Sequence, residues 1–135
     1  MSINQTYKKM KNSTNTLNVI IAGSRNFDDY QKLESSCDNL LKSVAADKQI
    51  TVFSGGAGGT DTLGEQYAQT RGYQLRRFPA DWEQYGKAAG PVRNHHMAKE
   101  ADMVICFWNG LSKGTRHMIS TAKKLGLDLH VIPVT

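Results

Sequence analysis

Ten consecutive residues, Val52-Phe53-Ser54-Gly55-Gly56-Ala57-Gly58-Gly59-Thr60-Asp61, carry the strongest chemical signal in this chain. An apolar run enters a cluster of glycines, and Thr60-Asp61 then opens an amphipathic segment. Glycine has no Cβ, so its N–H can approach a ligand at angles that other residues resist. A helix starting there adds unpaired N–H donors and a partial positive charge. Strand, glycine loop and helix start together make an anion cradle, most often for phosphate. The amides of residues 55–60 are the expected donors. A tight turn with no ligand would need fewer glycines.

Further polar groups fall where strands should end. Gly23 allows a turn, Ser24 can donate a hydrogen bond, and Arg25 offers a planar fork to a phosphate or carboxylate. Trp82 and Tyr85 could stack on a nucleobase or plug the end of the core. Asp81 could bind a ribose hydroxyl or cap a turn. Arg93 and Asn94 are expected in the first turn of a helix opened by Pro91. A cation gains nothing from the dipole there, which favours a nearby anion. Ser112, Gly114 and Thr115 surround another helix start and could hold a second phosphate or a ribose, or supply a plain N-cap. Asp61 and Glu65 stand four apart, on one side of a helix. Paired carboxylates near a ribose could stabilise an oxocarbenium ion or activate water. Solvated surface is the bland alternative for Glu65, and a helix-start acid for Asp61.

The common nucleotide fingerprints are missing. A dinucleotide G-x-G-x-x-G beginning at Gly56 would need glycine at 61, where Asp61 stands. No lysine follows the glycines as a P-loop requires, and Lys113 precedes Gly114-Thr115 in the wrong order.

The elements that must position these groups alternate regularly. Strands are expected at 17–23, 50–54, 74–78, 103–108 and 129–134. Helices are expected at 28–46, 60–71, 91–101 and 115–125, with loops at 79–90 and 109–114. Alternation of this kind gives a parallel sheet with helices on both faces, and ligands bind outside the carboxyl ends of its strands.

The chain has 135 residues, enough for one domain. It has a net charge of +5. Lys8, Lys9 and Lys11 lie in a polar tail, residues 1–16, expected to be disordered. The body, residues 17–135, keeps 14 basic and 12 acidic side chains, too balanced for a nucleic-acid binder. No apolar run is long enough for a membrane span, and no secretory signal is present, so a cytoplasmic protein is expected. Cys37 and Cys106 read as buried free thiols, and the histidines lack metal-ligand spacing, so no metal and no cofactor are expected.

These residues resemble the SLOG superfamily, the Rossmann-like group that includes DNA-processing protein A and the Lonely Guy phosphoribohydrolases. They are most similar to its small YspA-like, cpYpsA-related branch. The resemblance rests on Ala22-Gly23-Ser24-Arg25, on 54–61, on Ala80-Asp81-Trp82, on 89–94, and on Phe107-Trp108-Asn109-Gly110 with Ser112 and Gly114-Thr115. It implies a three-layer, doubly wound sheet of about five strands, ordered 3-2-1-4-5. It also implies a pocket for a nucleotide-like small molecule, with Trp108 among its residues, in a homo-oligomer (dimer or tetramer). Ser54-Gly55-Gly56-Ala57, Gly59 and Asp61 match the superfamily form Ser-Gly-Gly-Ala-x-Gly-x-Asp. The Lonely Guy form, Gly-Gly-x-Gly-Thr-x-x-Glu, has its catalytic glutamate where this chain has Thr62. Nucleotide binding is therefore expected before N-ribosyl cleavage by Asp61 or Glu65, and single-stranded DNA binding ranks third.

Overall fold

The computed structural model describes residues 15–135. The expected tail therefore lies outside the described residues, apart from Asn15 and from Thr16, which begins the first strand. Five parallel strands are present: β1 (Thr16–Gly23), β2 (Gln49–Ser54), β3 (Gln74–Arg77), β4 (Met103–Trp108) and β5 (Asp128–Pro133). They form one sheet in the order β3-β2-β1-β4-β5, the Rossmann-like α/β arrangement expected. The long helices are α1 (Tyr30–Ala45), α2 (Thr60–Arg71), α4 (Ala89–Glu100) and α5 (Lys113–Lys124), and a single turn, α3 (Trp82–Tyr85), precedes α4.

Alternation along the strands builds two cores. Val19 and Ile21 of β1, with Ile105 and Phe107 of β4, face Leu33, Cys37 and Leu41 of α1 and Tyr67 and Ala68 of α2. Ile20, Val104 and Cys106 point the other way, toward Met97 and Ala98 of α4 and Met118, Ile119 and Ala122 of α5. β4 is buried from Met103 to Phe107, as befits a strand covered on both faces. Both cysteines are buried and free, and burial pushes each thiol up to about 12. No helix among the described residues is long and apolar enough to cross a membrane.

Local chemistry sets the helix ends. Asp29 caps α1 by accepting a hydrogen bond from the Lys32 amide at 3.1 Å. Gly72, with φ +71°, ends α2 in the left-handed conformation. Residues 79–90 are not one loop: α3 and a 3-10 turn, Gly86–Ala88, occupy most of them. α4 begins at Ala89, so Pro91 is its third residue. The first N–H groups of a helix have no internal partner, and a proline there loses nothing. Arg93 and Asn94 consequently sit in the second turn, which removes the dipole argument for Arg93. α5 begins at Lys113 rather than 115, which places Gly114 inside it.

The chain runs β1-β2-β3 toward one edge of the sheet, then crosses back to β4 and β5. The switch point lies between β1 and β4, and a crevice opens there at the carboxyl ends of the strands.

Candidate functional site

Ser24, just beyond β1, organises that crevice. Its N–H donates to the Phe107 carbonyl at 2.9 Å. Its own carbonyl accepts from the Thr60 hydroxyl at 2.9 Å and from the Thr60 and Phe27 amides, each at 3.3 Å. Its hydroxyl accepts from the Asn109 amide at 3.1 Å. The ends of β1 and β4 and the start of α2 are thus tied to one residue, which is 1% exposed.

The glycine loop between β2 and α2 is partly satisfied from within. The Gly56 amide donates to Ser54 Oγ at 3.1 Å, and the Ala57 amide to Asp61 Oδ2 at 3.0 Å. The Thr60 amide is taken by Ser24. Of the expected donors at 55–60, the Gly56, Ala57 and Thr60 amides are thus engaged within the chain. Among the described residues, those of Gly55, Gly58 and Gly59 have no acceptor. Gly59 has φ +55°, and a Cβ there would lie 2.1 Å from the Arg25 carbonyl, so only glycine fits.

Two arginines approach the loop. Arg25 is exposed and makes no ion pair among the described residues. Arg93 is half-buried: its Nη1 donates to the Gly55 carbonyl at 2.7 Å and its Nε to Asn94 Oδ1 at 3.0 Å. Burial lowers the Arg93 pKa from its usual value, while the nearby Asp61 charge opposes that shift. Gly55 makes room for this approach. A Cβ there would stand 2.6 Å from Arg93 Nη1 and 3.1 Å from Asp61 Oδ2.

A cleft of about 470 Å³ runs along these groups, from Gly23, Ser24 and Arg25 past Gly55, Ala57, Asp61, Arg93 and Asn94 to Ser112, Gly114 and Thr115. A second hollow, about 540 Å³, continues toward β3 and is lined by Arg25, Gly55, Gly56, Ala57, Arg77, Pro79, Ala80, Trp82 and Arg93. The two share Arg25, Gly55, Ala57 and Arg93 and so form one groove.

Asp61 and Glu65 part company here. Asp61 lies in the cleft, and burial raises its carboxyl above the ordinary value. Glu65 accepts from Ser54 Oγ at 2.7 Å and pairs with Arg77 at 2.8 Å. The Arg77 hydrogen bond is the main cause that holds its pKa low. Glu65 lines neither hollow.

Other expected residues also take part in bonds within the scaffold or stand beside the groove. Asp81 caps α3 through the Gln84 amide at 3.1 Å and lines neither half of the groove. Trp108 donates from its indole to the Ser112 carbonyl at 3.1 Å, under Arg116, and does not line the cleft. Ser54 and Thr60 are buried in hydrogen bonds with Glu65 and Ser24. Ser112 is the N-cap of α5, and its hydroxyl lies 2.9 Å from that of Thr115. Gly58 and Gly59 do not line the cleft, and Gly59 lines a separate hollow that also includes Arg25 and Asn26. Trp82, 57% exposed, stands over the second hollow rather than plugging the core. Asn26, Asn109, Leu111 and Arg77 line the groove; the first three lie in loops expected on the ligand side but, like Arg77, were not among the expected site residues. The Asn109-Gly110 turn directly after β4, and a charged residue closing β3, were the available signals. Among the described residues no group of His, Cys, Asp and Glu could hold a metal ion.

The sequence profile described as YspA, cpYpsA-related SLOG family matches residues 17–85. The Gene 61 protein of Mycobacterium phage D29 is 36% identical over 118 residues, which span 82% of this chain and 92% of that protein. Two solved structures share the fold. TM1055 superposes with a TM-score of 0.60 at 23% identity, covering 84% of this chain and 72% of its own. DNA processing protein A from Streptococcus pneumoniae gives 0.65 at 19% identity, over 89% of this chain. The chain spans about half of that protein, 51% of its length.

Proposed function

Because the chain belongs to the YspA, cpYpsA-related SLOG family, a group tied to nucleotide-related ligands, we propose that it binds a phosphorylated nucleoside or an ADP-ribose-like molecule across the carboxyl edge of its sheet. The observation that carries this reading is the pair Arg25 and Arg93, which line both halves of the groove where they meet. Two guanidiniums at a waist suit a phosphate or pyrophosphate. The amides of Gly58 and Gly59 at the mouth of α2 add donors of the right polarity. Trp82 offers an aromatic face to a base on one side, and Ser112, Thr115 and Asn94 offer polar contacts, on the other, to the second ribose of an ADP-ribose-like ligand. The protein then acts as a sensor or sequestering domain in the cytoplasm, as a dimer or tetramer.

Calorimetric titration with AMP, ADP-ribose and inorganic phosphate tests this. Binding of at least one nucleotide, lost on Arg93→Ala, is expected. No heat from any of them overturns it. Light scattering on the same sample tests the assembly.

A second reading, an N-ribosyl hydrolase, is favoured by one feature: Asp61 is a buried acid in the cleft with a raised pKa. Glu65, tied to Arg77, gives it no support. Chromatography of incubated nucleotides decides, because released base would identify an enzyme. Single-stranded DNA is disfavoured by the balanced charge of the body.

A further inference from the structure

One oxygen of the acid in the cleft has no partner within the described residues. Asp61 is 7% exposed and lines the cleft. Its Oδ2 accepts from the Ala57 amide at 3.0 Å, whereas Oδ1 accepts nothing among the described residues. No ion pair among those residues includes it either. Oδ1 is reached from the cleft and has no donor from the chain, so it is open to accept one from a ligand in place of water. The other buried acceptors along the cleft already have partners. Ser24 Oγ takes the Asn109 amide, Asn94 Oδ1 takes Arg93 Nε, and the Thr115 hydroxyl pairs with Ser112. The absent side chain of Gly55 leaves room for Arg93 Nη1 and Asp61 Oδ2 beside it, 2.6 and 3.1 Å from where a Cβ would stand.

A phosphate cannot complete this carboxylate, because its oxygens are acceptors and its charge has the same sign. A hydroxyl can, and in a nucleotide the ribose hydroxyls lie within a few bonds of the phosphate that the arginines attract. We propose that Asp61 is a specificity-determining residue that accepts a hydrogen bond from a ribose hydroxyl, so that the site takes ribonucleotides and discriminates against their deoxy counterparts. This rests on the nucleotide reading above. It assigns the phosphate to the arginines and the free glycine amides, and the sugar to Asp61.

The test is calorimetry on the whole protein with the four ribonucleoside monophosphates and ADP-ribose, beside their 2′-deoxy and 3′-deoxy forms. One deoxy form is expected to bind about tenfold or more weakly, the scale of a hydrogen bond to a charged group. Asp61→Ala is expected to lower ribonucleotide affinity to the deoxy level and to leave the deoxy affinity unchanged. Asp61→Asn, which keeps the size of the side chain, is the second variant and should shrink the ratio. Ribo and deoxy forms within about twofold of each other, with binding still dependent on Arg93, overturn the role of Asp61 and leave the nucleotide reading standing. Discrimination that survives Asp61→Ala overturns it too. No binding of any nucleotide overturns both.

Discussion

Two helix entrances face the same cleft, and they are closed by opposite means. At α5, side chains do the work. Ser112 accepts from the Thr115 amide at 3.3 Å, and Asn109 accepts from the Leu111 and Ser112 amides at 2.8 and 3.0 Å. At α2 no side chain caps the helix. Its entrance depends on backbone shape, with positive φ at Gly56, Gly58 and Gly59, and it leaves amides unbonded. An entrance that satisfies itself needs only polar residues of the right type. One that leaves donors open needs glycine and gains its remaining partners from outside the chain.

The most severe way to break this contrast is Gly59→Ala. It combines a disfavoured φ with a contact of 2.1 Å to Arg25, and a loss of about 3 kcal/mol or more is expected in urea unfolding. Next comes Arg93→Ala, expected to weaken nucleotide binding about a hundredfold, roughly 2.7 kcal/mol, in calorimetry. Arg116→Ala on α5 should leave binding unchanged, because Arg116 lies over Trp108 outside the groove. Removing the side-chain cap with Ser112→Ala should cost about 1 kcal/mol of thermal stability, well short of the glycine change.

The smallest effects separate two acids one turn apart on α2. The Asp61 pKa is raised in the fold, so between its ordinary and its folded value the native state holds a proton that the unfolded chain has released. Stability from this group falls as pH rises from its ordinary 3.8 through the folded value, and Asp61→Asn should flatten that slope. The Glu65 pKa is lowered, so its contribution is present above the ordinary 4.5 and disappears as pH falls through the folded value. Glu65→Gln should therefore lower the melting temperature at neutral pH and remove the acid-side loss. Melting temperatures recorded from about pH 3 to pH 7 read both signs.

Much of this was legible because periodicity reports burial. The alternation of Val19, Ile20 and Ile21 between two cores, the buried run of β4 and the stop at Gly72 all follow from residue type and spacing. The order of the strands came from the resemblance, through the motifs at the strand ends. What stayed hidden is local hydrogen bonding. Nothing in the spacing says that Asp61 bends back to the Ala57 amide, that Glu65 turns to Ser54 and Arg77, or that the Trp108 indole finds the Ser112 carbonyl. Pro91 misled by two residues because a helix tolerates proline anywhere in its first turn, not only at its first position.

The bonds gathered on Ser24 have a mechanical meaning. A floor pinned through one residue to two strand ends and a helix moves as a single plate or not at all. Any widening that admits a guest must come from the rims. Trp82 and Leu111, 57% and 77% exposed, are the large exposed apolar side chains that line the groove. A change of width would then fall to side chains such as these, while the base keeps a constant gauge.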